Sequence, residues 1–171
     1  MRDFNESEYA PRRFYDGMAR FADESIFNVT RALKAKGMFN NTIMIVSTDN
    51  GGSYDNGNNY PLRGAKYDFF DGGVRGSAFV YSEMLPESVR GSTFEGLMHI
   101  SDWYPTICGL AGVSYNDSGV YWYLMLLILV MVFSGPGKVA VDGYDMWPYL
   151  MDPYNNSSPH PWLLLGMNNG K

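Results

Sequence analysis

The sequence predicts an α/β fold, and three observations carry that expectation. A helical pattern of apolar residues over 16–36 runs through a short glycine-containing link into the apolar run "TIMIVST". That run has no polar alternation, as in strands buried on both faces of a parallel sheet. A second strand pattern, "SAFVYS" at 77–82, precedes a second helical pattern, "SDWYPTICGLAG". Helix and strand in succession, joined by short links, is the α/β arrangement.

Residues 1–15 are polar with scattered aromatics and are expected to form a loop. In the first helix, Met18, Phe21, Ala22, Ile26, Val29 and Leu33 recur at helical spacing. Asp16 is placed to cap its start. Lys34 and Lys36 suit the negative end of the helix dipole, and Gly37 suits the position just past the end. The strand at 43–47 follows. The second helix takes Ser101 or Asp102 as its cap, tolerates Pro105 in its first turn and closes at Gly112. Between the two strands, residues 50–76 are rich in Gly, Asn and Asp, a length that in a domain of this kind marks function or disorder. The aromatics Tyr54, Tyr60, Tyr67, Phe69 and Phe70 favour an ordered loop. There is no internal repeat.

Composition narrows the function classes. With 171 residues, 46% hydrophobic and 18% charged, the chain is long and apolar enough for a core. A net charge of −5 and a pI near 4.9 leave no basic face for nucleic acid. One cysteine, Cys108, excludes an internal disulfide and a zinc site of paired cysteines. With only His99 and His160, a histidine-built metal site is not expected either. "MRDFNESEYAPRRF" lacks the apolar core of a signal peptide. Glycosylation sequons nevertheless stand at Asn28, Asn40, Asn116, Asn155 and Asn156. The apolar stretch "VYWYLMLLILVMVF" at 120–133 would span roughly 21 Å as a helix, short of the roughly 30 Å bilayer core. It is expected to be a buried helix or strand pair and not a membrane span.

The chemistry concentrates where the first strand ends, in "STDNGG". Asp49 and Asn50 offer hard oxygen donors, which suit Ca2+ or Mg2+. Gly51 and Gly52 let the backbone turn sharply enough for neighbouring side chains to face one site. Asn-Gly between apolar runs is equally a hairpin-turn signal, so spacing alone leaves turn and metal site both open. The acid spacing does not fit an EF-hand. Lys66 follows, with Arg63 and Arg75 nearby, and a lysine beside a divalent cation can hold an anionic group as a point charge.

In order, "STDNGG", "PLRGAK", "DGGVRG", "HISDWYPTICGLAG" and "DGYDMW" resemble the sulfatase family, most nearly its arylsulfatase B type, which removes the 4-sulfate of N-acetylgalactosamine. "DESIFNVTRALKAKGMFNNTIMIVSTDNGG" resembles that type too. The resemblance covers the chain apart from 120–137 and favours the metal reading over the turn. It implies part of an alkaline-phosphatase-like mixed sheet flanked by helices, with residues 1–171 forming a partial catalytic domain. It assigns Asp49 and Asn50 to the active-site calcium and Lys66 to the sulfate of the substrate. His99 and Asp102 are implied to be scaffold and helix cap, Arg75 a brace for the loop, and Asp71 a replacement for a common Glu. The implied substrate is a sulfated glycan or aryl sulfate, and the implied setting is the secretory pathway, lysosomal or extracellular.

One part of the pattern is missing. The family's nucleophile is a formylglycine made within Cys/Ser-x-Pro-x-Arg. Cys108 is followed by "GLAG", and "SSPHP" from Ser157 ends in Pro161 where Arg belongs. Cys108 therefore reads as a small core residue. The formylglycine and the remaining calcium ligands are expected upstream, so the chain reads as the middle-to-late part of a larger enzyme, inactive alone. The stretch 120–137 reads as non-family sequence. The alternative is a non-catalytic module that binds a divalent cation or sulfated sugar.

Overall fold

The computed structural model describes residues 6–115, 141–152, 154 and 157–163. Helix α1 runs over Glu6–Ala35, so it begins ten residues before the expected Asp16, and most of the expected N-terminal loop is helical. Between Glu6 and Asp16 the only helix breaker is Pro11, which lies inside the helix and lacks the N–H a helix interior uses. Asp16 is not a cap. It sits mid-helix and pairs with Arg12 one turn earlier, Nε to Oδ1 3.2 Å. The C-terminus matches the expectation: Gly37 has φ +67, its N–H bonds Lys34 O at 3.1 Å, and Met38 N–H bonds Leu33 O at 3.0 Å. These two bonds form a Schellman stop that satisfies the last carbonyls.

The spacing that identifies α1 does not say what covers it. Met18, Phe21 and Val29, which share that spacing, are exposed, and Phe21 reaches 73%. Ile26 and Leu33 are half-buried.

The chain divides into two units, one taking in the chain up to Leu85 and the other spanning Pro86–Leu163. In the first, a 3-10 turn at Phe39–Asn41 leads into strand β1, Met44–Ser47. Phe39 is buried, with Lys34 Nζ 4.6 Å from its ring centroid and the Tyr81 ring centroid at 5.6 Å. These contacts join the end of α1 to the sheet. A single helical turn α2, Asp71–Val74, precedes strand β2, Ala78–Tyr81. β1 and β2 pair antiparallel, with Met44 opposite Tyr81 and Ser47 opposite Ala78. The parallel, doubly buried reading of "TIMIVST" is corrected: among the described residues its strand pairs antiparallel in a two-stranded sheet, and β1 is half-buried. An apolar run reports burial but carries no information on strand direction. The α/β class itself holds. Ser82 is buried beyond β2, where its hydroxyl donates to Thr42 O at 2.8 Å and closes the far end of the hairpin.

In the second unit, α3 runs over Trp103–Leu110 and a single turn α4 over Trp147–Leu150. Neither Ser101 nor Asp102 caps the run through its side chain. A 3-10 turn at Ile100–Asp102 precedes α3, and His99 caps it: its Nδ1 accepts from Ser101 N–H at 3.3 Å while Asp102 Oδ2 accepts from His99 N–H at 2.7 Å. Asp102 is thus the returning half of a capping box. Gly112, φ +67, closes α3 as expected, with Val113 N–H bonding Cys108 O at 3.0 Å. Cys108 is half-buried and not a core residue.

Asp102 is fully buried, and its carboxylate is the hub of this unit. Besides His99 N–H, it accepts from Tyr144 N–H at 2.9 Å, and His160 Nε2 lies 2.9 and 2.8 Å from its two oxygens. The His160 ring meets Tyr144 edge-on at 4.9 Å. Thr106, also buried, donates to Asp102 O at 2.6 Å and accepts from Met146 N–H at 2.9 Å. "HISDW" and "DGYDMW", far apart in sequence, are therefore stitched together by two side chains. The apolar stretch 120–133, the wider 120–137 segment and the sequons at Asn116, Asn155 and Asn156 lie outside the described residues.

Candidate active site

The strand-end residues are set by the hairpin. Pairing continues past β1, where Thr48 N–H bonds Ser77 O at 2.9 Å and Ser77 N–H bonds Thr48 Oγ1 at 2.8 Å. Asp49 and Asn50 follow, one exposed and the other half-buried. Asn50 donates its amide nitrogen to Gly51 O at 3.0 Å, so the amide oxygen is the atom it has to offer a cation.

The 50–76 loop is ordered, as expected, but not by burial of its aromatics. Tyr54, Tyr60, Tyr67, Phe69 and Phe70 are all exposed. Backbone crossings at glycines do the ordering. Gly51 N–H bonds Gly73 O at 2.9 Å, and a Cβ on Gly51 would lie 1.8 Å from Gly72 O. Gly72 N–H bonds Arg63 O at 2.7 Å, and a Cβ there would lie 2.1 Å from Gly64 O. Only glycine permits strands of backbone to pass this close. Asn59 fills the remaining gap. It accepts from Gly52 N–H at 2.8 Å and donates to Gly52 O at 2.9 Å and Gly64 O at 3.2 Å. "DNGG", "PLRGAK" and "DGGVRG" are thereby held as one unit.

Lys66 is drawn to the strand end by its backbone, whose N–H bonds Gly52 O at 3.0 Å, two residues past Asn50. Its side chain is half-buried, with Nζ 5.5 Å from the Tyr67 ring centroid. Tyr67 has φ 82, left-handed backbone that costs an aromatic residue about 1–2 kcal/mol. Of the two other cations, Arg63 stacks its guanidinium 3.9 Å above the Phe70 ring, while Arg75 follows α2 and lines a cavity of about 340 Å³ with Tyr15, Asn50, Asn59 and Tyr60. Asp71 opens α2, and its carbonyl accepts from Arg75 N–H at 2.9 Å.

Sequence reasoning missed the pair that fixes the turn after Lys66. Asp68 Oδ2 accepts from Ala65 N–H at 2.9 Å and from the Tyr54 hydroxyl. The Tyr54 hydrogen bond and then the Ala65 amide hold the Asp68 carboxyl below its usual range. The same hydrogen bond, by favouring the protonated phenol, raises Tyr54. Asn59 and His160 were missed as well. A lone Asn in an Asn-rich loop and a lone His between prolines carry no periodic signal, so contacts across the fold are what reveal them.

Among the described residues no three His, Cys, Asp or Glu side chains cluster around a common point. Asp49 and Asn50 do fit a hard cation in donor type. They are two adjacent oxygen donors, against the six to eight that Ca2+ takes, so on their own they would fill only a fraction of its coordination shell. No described helix is long and apolar enough to cross a membrane.

The chain is similar to known proteins. The model of the family described as Sulfatase matches residues 2–113. Arylsulfatase J of Mus musculus is 39% identical over 137 residues, 80% of this chain and 19% of that protein. A protein named Sulfatase from Formosa agariphila is 34% identical over 107 residues, 57% of this chain and again 19% of its own length. Crystal structures of Ps i-CgsB superpose with TM-scores of 0.67 alone and 0.65 in complex with k-i-k-neocarrahexaose. They are 25% and 26% identical, and each covers 86% of this chain and 28% of theirs. The chain spans about one-fifth of the length of the curated relatives it matches. The matched residues include the DN strand end, the lysine loop and the glycine crossings that hold them together, and the chain belongs to the sulfatase family.

Proposed function

We propose that this chain is part of a calcium-dependent sulfuric ester hydrolase of arylsulfatase type, near the arylsulfatase B branch, acting on a sulfated glycan such as N-acetylgalactosamine 4-sulfate. The observation that carries the reading is the Lys66 N–H to Gly52 O bond, which sets a lysine beside the Asp49–Asn50 strand end. The k-i-k-neocarrahexaose bound by Ps i-CgsB supports an oligosaccharide as the substrate class. Exposed sequons at Asn28 and Asn40 fit a secretory setting, lysosomal or extracellular.

Asp49 and Asn50 would hold the calcium ion through side-chain oxygens. When bound, that ion supplies positive charge to the sulfate oxygens. Lys66 adds a second charge from the protein, binding the sulfate and favouring the transition state in which its oxygens carry more charge. Backbone crossings at Gly51, Gly72 and Gly73 hold these side chains in register before substrate arrives. The 171 residues contain no Cys/Ser-x-Pro-x-Arg motif from which a formylglycine nucleophile is made, so this chain is expected to bind but not to turn over.

Two measurements test this. Calorimetry should show weak Ca2+ uptake that Asp49→Ala removes, and equal uptake by both proteins overturns the metal assignment. Assay of an aryl sulfate should show no turnover. A measurable kcat abolished by Asp49→Ala would show a complete catalytic centre within the chain and overturn that part of the reading.

A further inference from the structure

Tyr67 combines three features that packing does not explain. Its backbone is left-handed, φ 82, where glycine would sit without strain. Its side chain is 90% exposed, so no burial offsets that strain. It directly follows Lys66, whose Nζ lies 5.5 Å from its ring centroid. The segment is held in this shape from both sides: Lys66 N–H bonds Gly52 O at 3.0 Å, and Asp68 accepts from Ala65 N–H at 2.9 Å and from Tyr54. Strain that the surroundings enforce on an exposed aromatic marks a binding position more often than a structural one.

From this geometry we infer that Tyr67 is a substrate-contacting residue whose ring stacks on the pyranose that carries the sulfate ester. The inference rests on the proposed role of Lys66 in binding sulfate. A sulfated sugar has an anionic group projecting from a ring with an apolar C–H face. Lys66 and Tyr67 present the matching pair, a point charge and a flat π-surface side by side. An aromatic ring adds contact area at low cost in rotamer freedom, because only two side-chain torsions are ordered. Inorganic sulfate would use Lys66 alone, so the ring confers preference for a glycan ester over the bare anion.

The test uses the whole chain with Ca2+, titrated by NMR with N-acetylgalactosamine 4-sulfate and with inorganic sulfate. Tyr67→Gly removes the ring and relieves the backbone, so this variant folds at least as well as the parent. It should weaken the sugar sulfate by about tenfold and leave inorganic sulfate unchanged. Tyr67→Trp should retain the sugar sulfate, and Lys66→Ala should weaken both ligands. If Tyr67→Gly binds the sugar sulfate as tightly as the parent, the stacking role is overturned and the sulfate role of Lys66 stands. If the parent binds neither ligand, both assignments fall.

Discussion

Substituting Asp102 should unfold the second unit, because three donors converge on one buried carboxylate. His99 N–H and Tyr144 N–H reach it at 2.7 and 2.9 Å, and His160 Nε2 sits 2.8 Å from its Oδ2. Asp102→Ala leaves all three without an acceptor in a site closed to solvent. At about 1–3 kcal/mol for each orphaned buried donor, with partial relaxation, the loss is roughly 3–5 kcal/mol. A domain of ordinary stability has about 5–15 kcal/mol in total, so most of the margin goes. Asp102→Asn should lose nearly as much, since its amide nitrogen would turn a donor toward one of the same donors. The sequence supplies the probe: all four tryptophans, at 103, 122, 147 and 162, lie within Pro86–Leu163. Urea unfolding followed by tryptophan emission therefore reads this unit alone. A midpoint for Asp102→Ala within about 0.5 kcal/mol of the parent, the range of a neutral surface change, would refute the hub assignment. Intermediate loss for His160→Gln would apportion the imidazole's share.

Two further perturbations address the first unit. Gly51→Ala should destabilise the 50–76 loop by at least about 2 kcal/mol, since its Cβ would land 1.8 Å from Gly72 O. Gly17→Ala, where a Cβ meets nothing within 4 Å on α1, should instead stabilise by about 0.5–1 kcal/mol, and thermal melts of the pair give the contrast. Amide exchange in residues 50–76 should depend on pH through Tyr54 and Asp68. Asp68 is held below its ordinary value, so its contribution is whole above that value and is lost as pH falls through the lowered one. Tyr54 is raised, so its contribution is whole below the ordinary phenol value and is lost as pH climbs through the raised one. Tyr54→Phe should flatten the alkaline limb and weaken the acidic one, and an unchanged profile would count against the pair.

What was legible in the sequence follows from what each signal encodes. Glycine stops were readable at Gly37 and Gly112 because a left-handed residue has a local chemical signature. The end of the first strand was readable too, since the run of apolar residues stops just before Asp49 and two glycines follow Asn50. Strand direction was not, because an apolar run reports burial without orientation. Nor was the start of α1 legible, because Pro11 and Asp16 resemble boundary residues whether or not the helix continues through them. The Asp102 hub involves partners about 40 residues away or more, and no local pattern encodes such a meeting. Asp102 was read correctly as scaffold, yet its role as an acceptor for Tyr144 and His160 appears only once the fold brings them together.

The Asp102 and Thr106 bonds to Tyr144 and Met146 also bear on how this family's sequences can lengthen. These bonds fasten both flanks of the sequence between Gly112 and Val141, and the closure entropy of any flexible connection between fastened ends grows only with the logarithm of its length. Doubling such a connection costs about 0.6 kcal/mol, far less than loss of the fastening itself. Sequence between the two anchor motifs is therefore a place where this architecture can gain length at small entropic cost, and the apolar stretch at 120–133 lies within it.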